Sequence, residues 1–137
     1  MIEIQDVPSI FLNFNIINYP LHNKSKGIES YFYEYIKNEN NSESNLIYLP
    51  IQWTSYLIGQ DYGKNIKELE AFCKNLAVKY PEKRFFTITQ YDGGPLVEID
   101  NCIVFSSGGM FNTPQLTNQS HINLPLITSP HNYKNKN

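Results

Sequence analysis

Arginine occurs once in the 137-residue chain, at Arg84. Eleven Lys and Arg stand against 13 Asp and Glu, for a formal charge of −2. Phosphate-rich partners are held by forked guanidinium groups and basic stripes. The composition therefore argues against a nucleic-acid-binding protein. Cysteine is scarce too. Cys73 and Cys102 lie in apolar runs, outside any CxxC or Cys/His cluster. That pattern supports no structural zinc site. It reads as two reduced core thiols, which points to a reducing, cytoplasmic compartment. No apolar run approaches the length of a bilayer span. The start, MIEIQDVPSI, carries Glu3 and Asp6 and no basic leader, so neither a secretory signal nor a membrane partner is expected. Walker, GxGxxG and G-x-S-x-G patterns are all missing, which leaves a P-loop enzyme or a serine hydrolase unsupported.

What is present is apolar and aromatic: 41% and 14% of residues. That is enough for one core, and the length suits one domain. Residues 1–131 read as a single domain and 132–137, NYKNKN, as a disordered tail. In IESYFYEYIKN, residues 28–38, the residues Ile28, Tyr31, Phe32, Tyr35 and Ile36 recur at helical spacing, with Glu29, Glu34 and Lys37 free to face water. LIYLPIQW, residues 46–53, reads as a strand in which Pro50 must fall at a bulge or on an unpaired side. TSYLIGQDYG offers a turn or two of helix. NIKELEAFCKNLAVKY, residues 65–80, is the clearest helix, with Asn65 as cap, Glu68 at the capping-box position and Pro81 as the stop. RFFTITQ reads as a strand buried on both faces, and NCIVFSSGG, residues 101–109, as a shorter one. MFNTPQLTNQSHIN reads as loop, LPLITSPH (124–131) as a last strand, and FLNFNII near the start as a further strand.

Helices alternating with near-continuous apolar strands predict an α/β fold. The expected architecture is a three-layer, Rossmann-like domain with a mostly parallel sheet of about four or five strands. No helix is evident between 82 and 109, so the two strands there are not expected to be simple βαβ neighbours.

Four of these strands end in polar residues or glycine: Gln52-Trp53-Thr54, Gln90-Tyr91-Asp92-Gly93-Gly94, Ser106-Ser107-Gly108-Gly109 and Thr128-Ser129-Pro130-His131. Turn formers are where strands ordinarily stop. In an open parallel sheet, however, the carboxyl ends of the strands share one edge, and ligands bind outside that edge. Gln52, Trp53, Thr54, Gln90, Tyr91, Ser106, Ser107 and Gly108 are thus candidate binding residues. Trp53 and Tyr91 suit stacking on a sugar ring, or half-buried packing. Asp92 reads two ways, as a turn residue bonding its own backbone or as a general base. His131 is a second candidate base.

Five motifs occur in one order: IESYFYEYI, YLPIQWTSYL, FFTITQYDGGPL, IVFSSGG and PLITSPH. Together they resemble the amino-terminal part of exostosin-like glycosyltransferases. The resemblance runs over residues 19 to 131. It implies one half of the two-domain GT-B architecture, in which the amino-terminal half holds the acceptor and the other half holds the sugar nucleotide, usually without a bound metal. Carried over by position, Gln52, Trp53, Gln90, Tyr91 and Asp92 would line the acceptor side, and Asp92 or His131 would be a candidate base. The implied partners are a glycan acceptor and a sugar nucleotide bound only through a second domain or subunit. No metal or other cofactor is expected of this chain, and whether it acts as an enzyme alone stays open. Two other readings stand beside this one: a non-catalytic carbohydrate- or protein-binding domain on the same scaffold, and a small flavodoxin-type module, for which QWTSYLIGQ is a poor phosphate loop.

Overall fold

The computed structural model describes residues 2–12, 27–38, 46–91, 93–107 and 119–124. Among these residues the sheet has five strands: β1 (Glu3–Ile4), β2 (Leu46–Tyr48), β3 (Arg84–Thr89), β4 (Cys102–Ser106) and β5 (Gln119–Asn123). All four pairings are parallel, and the spatial order is the chain order, β1 to β5. Three described helices accompany them: α1 (Ile28–Ile36), α2 (Trp53–Gly59) and α3 (Lys67–Lys79), with a 3-10 segment at Ser9–Leu12. The fold is α/β, Rossmann-like in its parallel sheet and layering, as the alternation of elements predicts. No described helix is long and apolar enough to cross a membrane.

Alternation along the strands divides the core in two. On one face Ile47, Phe85, Cys102 and Val104 meet Leu69, Cys73 and Leu76 of α3, Trp53 and Leu57 of α2, and Phe11 of the 3-10 segment. On the other, Tyr48 and Phe86 meet Ile36, Phe32 and Tyr33 of α1. There a row of rings crosses three strands: Phe32 stands edge-on to Tyr48 at 4.9 Å, Tyr48 stacks on Phe86 at 5.3 Å, and Phe86 meets Phe105 edge-on at 6.1 Å. Each such pair adds about 0.5–1.5 kcal/mol beyond its burial. Strand β3 is the hub, buried from Phe85 to Thr89, because helices cover both its faces.

Several expectations shift in detail. Pro50 needs no bulge: Leu49 N–H makes the last ladder bond, to Phe86 O at 2.9 Å, and the strand is over before the proline arrives. Helix α3 starts at Lys67 with Ile66 at the cap and no side-chain capping bond, so Asn65 and Glu68 form no capping box. At the start, the strand is Glu3–Ile4, while Phe11 and Leu12 belong to the 3-10 segment; residues 13–18 lie outside the described residues. β5 falls at Gln119–Asn123, in a stretch that reads as loop from its polar composition. Of the expected strand at 124–131, only Leu124 is described, and its N–H donates to Ser106 O at 2.7 Å. The tail at 132–137 also lies outside the described residues.

The largest departure concerns β3 and β4. They are direct parallel neighbours, paired from Phe85↔Cys102 to Thr89↔Ser106, although no helix joins them. The described residues 90–91 and 93–101 run through the crossover as irregular chain, anchored by buried Val97 and Ile99. Leu96 and Asn101 take positive φ, both 56°, to turn it, and Asn101 Nδ2 donates to Lys83 O at 2.8 Å. Val97 and Ile99 share a cluster with α2 and α3. The β2–β3 crossover through α2 and α3 and the β3–β4 crossover therefore cover the same face and step the same way across the sheet, so these two share one hand.

Candidate functional site

A parallel sheet brings the ends of β2, β3 and β4 to one edge, and the start of α1 reaches the same edge. The link is made by Gln90, just past β3. Its side-chain Oε1 accepts the N–H of Ile28, the first residue of α1, at 3.0 Å. Gly27, at the N-cap, supplies no side-chain cap; Gln90 caps the helix from 62 residues away. Gly27 has φ 81°, and a Cβ there would lie 2.6 Å from Gln90 Oε1. Only glycine allows both the backbone turn and this approach.

The return bond comes from Glu29. Its carboxylate accepts the N–H of Gln90 at 2.8 Å and the N–H of Thr54 at 3.0 Å, and Thr54 Oγ1 donates to it as well. The residue is 5% exposed. Burial pushes its carboxyl up to about 7, against the pull of bonds from Thr54, Gln90 and Trp53 that favour the charged form. Desolvation wins because the donors, though well placed, are neutral. Next to this cluster, Ser30 Oγ donates to Gln52 Oε1 at 3.1 Å.

The described candidate residues can be placed one by one. Gln52 stands at the N-cap position of α2 without a side-chain capping bond and is 2% exposed; its Nε2 is buried with no hydrogen-bond partner among the described residues. Thr54 is buried on Glu29. Gln90 is buried between Glu29 and Ile28. Tyr91 packs its ring against Gly93, with its N–H on Thr89 Oγ1 at 3.3 Å. Ser106 ends β4 and is buried. Ser107 donates its N–H to Thr89 O at 3.0 Å, while its Oγ is buried with no partner among the described residues. Asp92, Gly108 and His131 lie outside the described residues.

Trp53 requires a correction. It is fully buried, and its Nε1–H donates to Thr87 Oγ1 at 2.7 Å, which in turn donates to Leu49 O at 2.9 Å. Its indole fills the core beneath the edge and presents no face to a ligand. The first turn of α2 points the ring inward, where it has both apolar contact and a bond for its single polar atom.

Glu29 is the buried, hydrogen-bonded side chain that the helical pattern hides. Centred on Tyr31 and Tyr35, the apolar stripe puts Glu29 in water; in the structure Tyr35 is 73% exposed and the inward row is Glu29, Phe32, Tyr33 and Ile36. A carboxylate two positions after a helix-starting glycine, in a chain whose strand ends offer free N–H groups, was the available signal.

Two cavities are formed by described residues, and the first borders the clamp at Ile28. One, about 430 Å³, is lined by apolar side chains, including Phe32, Phe86, Ile103 and Phe105. The other, about 410 Å³, lies among Tyr56, Gln60, Lys64, Asn65, Lys67 and Glu68. The first reaches Ile88 near the end of β3, Phe105 near the end of β4 and Leu124 just past β5, but neither is lined by Gln52, Gln90 or Ser107. Among the described residues no three His, Cys, Asp or Glu gather in a way that could hold a metal ion. Cys73 and Cys102 are free and buried, and burial pushes the Cys73 thiol up to about 12, so neither suits nucleophilic work.

Fold and site together define an α/β domain with an all-parallel sheet and a buried polar clamp at its carboxyl edge. Comparison with protein-family models, curated proteins and solved structures finds no match.

Proposed function

We propose that the chain is the amino-terminal, acceptor-side domain of an exostosin-like glycosyltransferase. On this reading it binds a glycan acceptor at the carboxyl edge of β2, β3 and β4, and the sugar nucleotide is held by a second domain or subunit. One observation carries the reading. Gln52 Nε2 and Ser107 Oγ, at the ends of β2 and β4 on either side of Gln90, are buried and without partners among the described residues. Buried polar groups are nearly always bonded, and those that are not call for a reason. A sugar offers hydroxyls that both accept from an amide and exchange bonds with a serine. The cytoplasmic setting expected from the sequence is supported by the two free thiols.

A second reading, a carbohydrate-binding domain without turnover, is favoured by how the edge uses its one described carboxylate. Glu29 is enclosed by Thr54 and Gln90 and is not presented to a substrate.

A glycan array probed with the pure chain tests the binding that both readings share. Saturable binding is expected, weakened roughly five- to tenfold by Ser107→Val, as for one lost hydrogen bond. A panel with no hits, or hits indifferent to Ser107→Val, removes the support for this edge. Sugar transfer that appears only when a donor-binding partner is added favours the glycosyltransferase. Binding that never leads to transfer, with or without that partner, favours the second reading.

A further inference from the structure

The bonds between α1 and the strand ends are reciprocal. Gln90 caps α1 with its side chain, and α1 returns Glu29 to the Gln90 amide. We propose that this clamp is proton-operated, and that uptake of one proton by Glu29 loosens its hold on the Gln90 amide and so resets the end of β3 against α1. The inference does not depend on the ligand of that edge.

The geometry dictates where the proton goes. Oε1 faces the Thr54 N–H at 3.0 Å, and Oε2 faces both Thr54 Oγ1 and the Gln90 N–H, the latter at 2.8 Å. A backbone N–H donates and cannot accept; a threonine hydroxyl does either. The proton from solvent therefore settles on Oε2, directed at Thr54 Oγ1, which reverses from donor to acceptor. The Thr54 bonds survive this exchange. The Gln90 N–H then donates to a neutral hydroxyl oxygen in place of a carboxylate, which is the weaker bond of the two. Gln90 is the first residue after β3, and its own side chain caps α1, so the change is felt at both elements.

Groups facing Glu29 do not take the proton instead. From β2, Tyr48 is close enough to feel the carboxylate, and burial together with that charge raises its phenol far above the ordinary range, so it stays neutral. From α2 come Trp53 and Thr54, and from the end of β3 comes Gln90; none carries charge. The position of Glu29's own titration, pushed by burial to about 7, puts the exchange within the range where small changes of pH alter its state.

The test is a pH series of proton–nitrogen correlation spectra on the full chain from about pH 5 to about pH 9, a range that brackets a raised carboxyl. The Gln90 and Thr54 amides are expected to shift together with one midpoint. That shift should vanish in Glu29→Gln. In Thr54→Val the Gln90 midpoint should move to higher pH, because a bond favouring the charged form is gone. A Gln90 amide that stays still across the range in the wild type overturns the proposal, as does a shift that persists in Glu29→Gln. If Glu29→Gln does not fold, the wild-type and Thr54→Val series decide alone, and an unmoved midpoint in Thr54→Val counts against the proposal.

Discussion

Glu29 and Gly27 carry the edge at the residue scale. Glycine's freedom is needed at Gly27 because φ is 81° and the Gln90 side chain occupies the space where a Cβ would stand. Gly59 is the natural control: nothing lies within 4 Å of a Cβ built there, and it closes α2 with no positive φ. Gly27→Ala is expected to lower stability by about 1–3 kcal/mol, from backbone strain and displacement of the cap. Gly59→Ala is expected to raise it by about 0.4–1 kcal/mol, because alanine restricts the unfolded chain at no cost to the folded one. Urea denaturation of the two variants checks this pair. Equal effects at both sites would mean that the Gln90 cap is not a feature of the fold.

The elements show how far local pattern reaches. Helix α3 is legible because Leu69, Cys73 and Leu76 repeat at helical spacing and all turn out buried. β3 is legible because a run such as RFFTIT suits a strand covered on both faces, and it is. Helix α1 is legible in extent but not in orientation. Its aromatic residues make two plausible stripes, and the wet one carries Tyr31 and Tyr35. The choice is made by long-range bonds from Thr54 and Gln90 to Glu29, which no local pattern contains. β5 is invisible for a related reason. Its side chains at Ser120, His121 and Ile122 are exposed, so hydrophobic pattern gives no signal, and pairing with β4 alone makes it a strand. Trp53 illustrates the same limit, since a tryptophan after a strand can stack outward or fill the core, and the Thr87 hydroxyl decides for the core. Its fluorescence is expected to be blue-shifted, inaccessible to iodide and indifferent to bound glycan. Trp53→Phe should cost about 1–3 kcal/mol of stability in thermal unfolding, by leaving Thr87 without its donor and reducing core volume. Red-shifted, readily quenched emission would return the indole to the surface.

At the scale of the whole molecule, a parallel sheet and one common edge were both readable from the alternation of elements. The order of the strands was not. In a doubly wound sheet the order reverses at a switch point, and a crevice opens there. Here the described strands run β1 to β5 without reversal, so a crevice of that kind has no place among them. What the edge has is a tie between α1, α2 and the end of β3 at Glu29, flanked by two polar atoms without partners among the described residues. The sequence lists the groups that make this tie, but their engagement with one another depends on register and on the approach of α1. Most of the polar edge therefore works inward, and the proposed recognition of a glycan rests on Gln52 Nε2 and Ser107 Oγ.

The central claim is that glycans are recognised at the ends of β2, β3 and β4. It is tested most directly by mapping amide shifts on the labelled chain as oligosaccharides from the array are added at constant pH. The account predicts saturable shifts at the backbone and side-chain amides of Gln52 and at the amides of Gln90, Tyr91 and Ser107, with α3 unmoved. Shifts confined to α3 or β5, or none with any oligosaccharide, would contradict it.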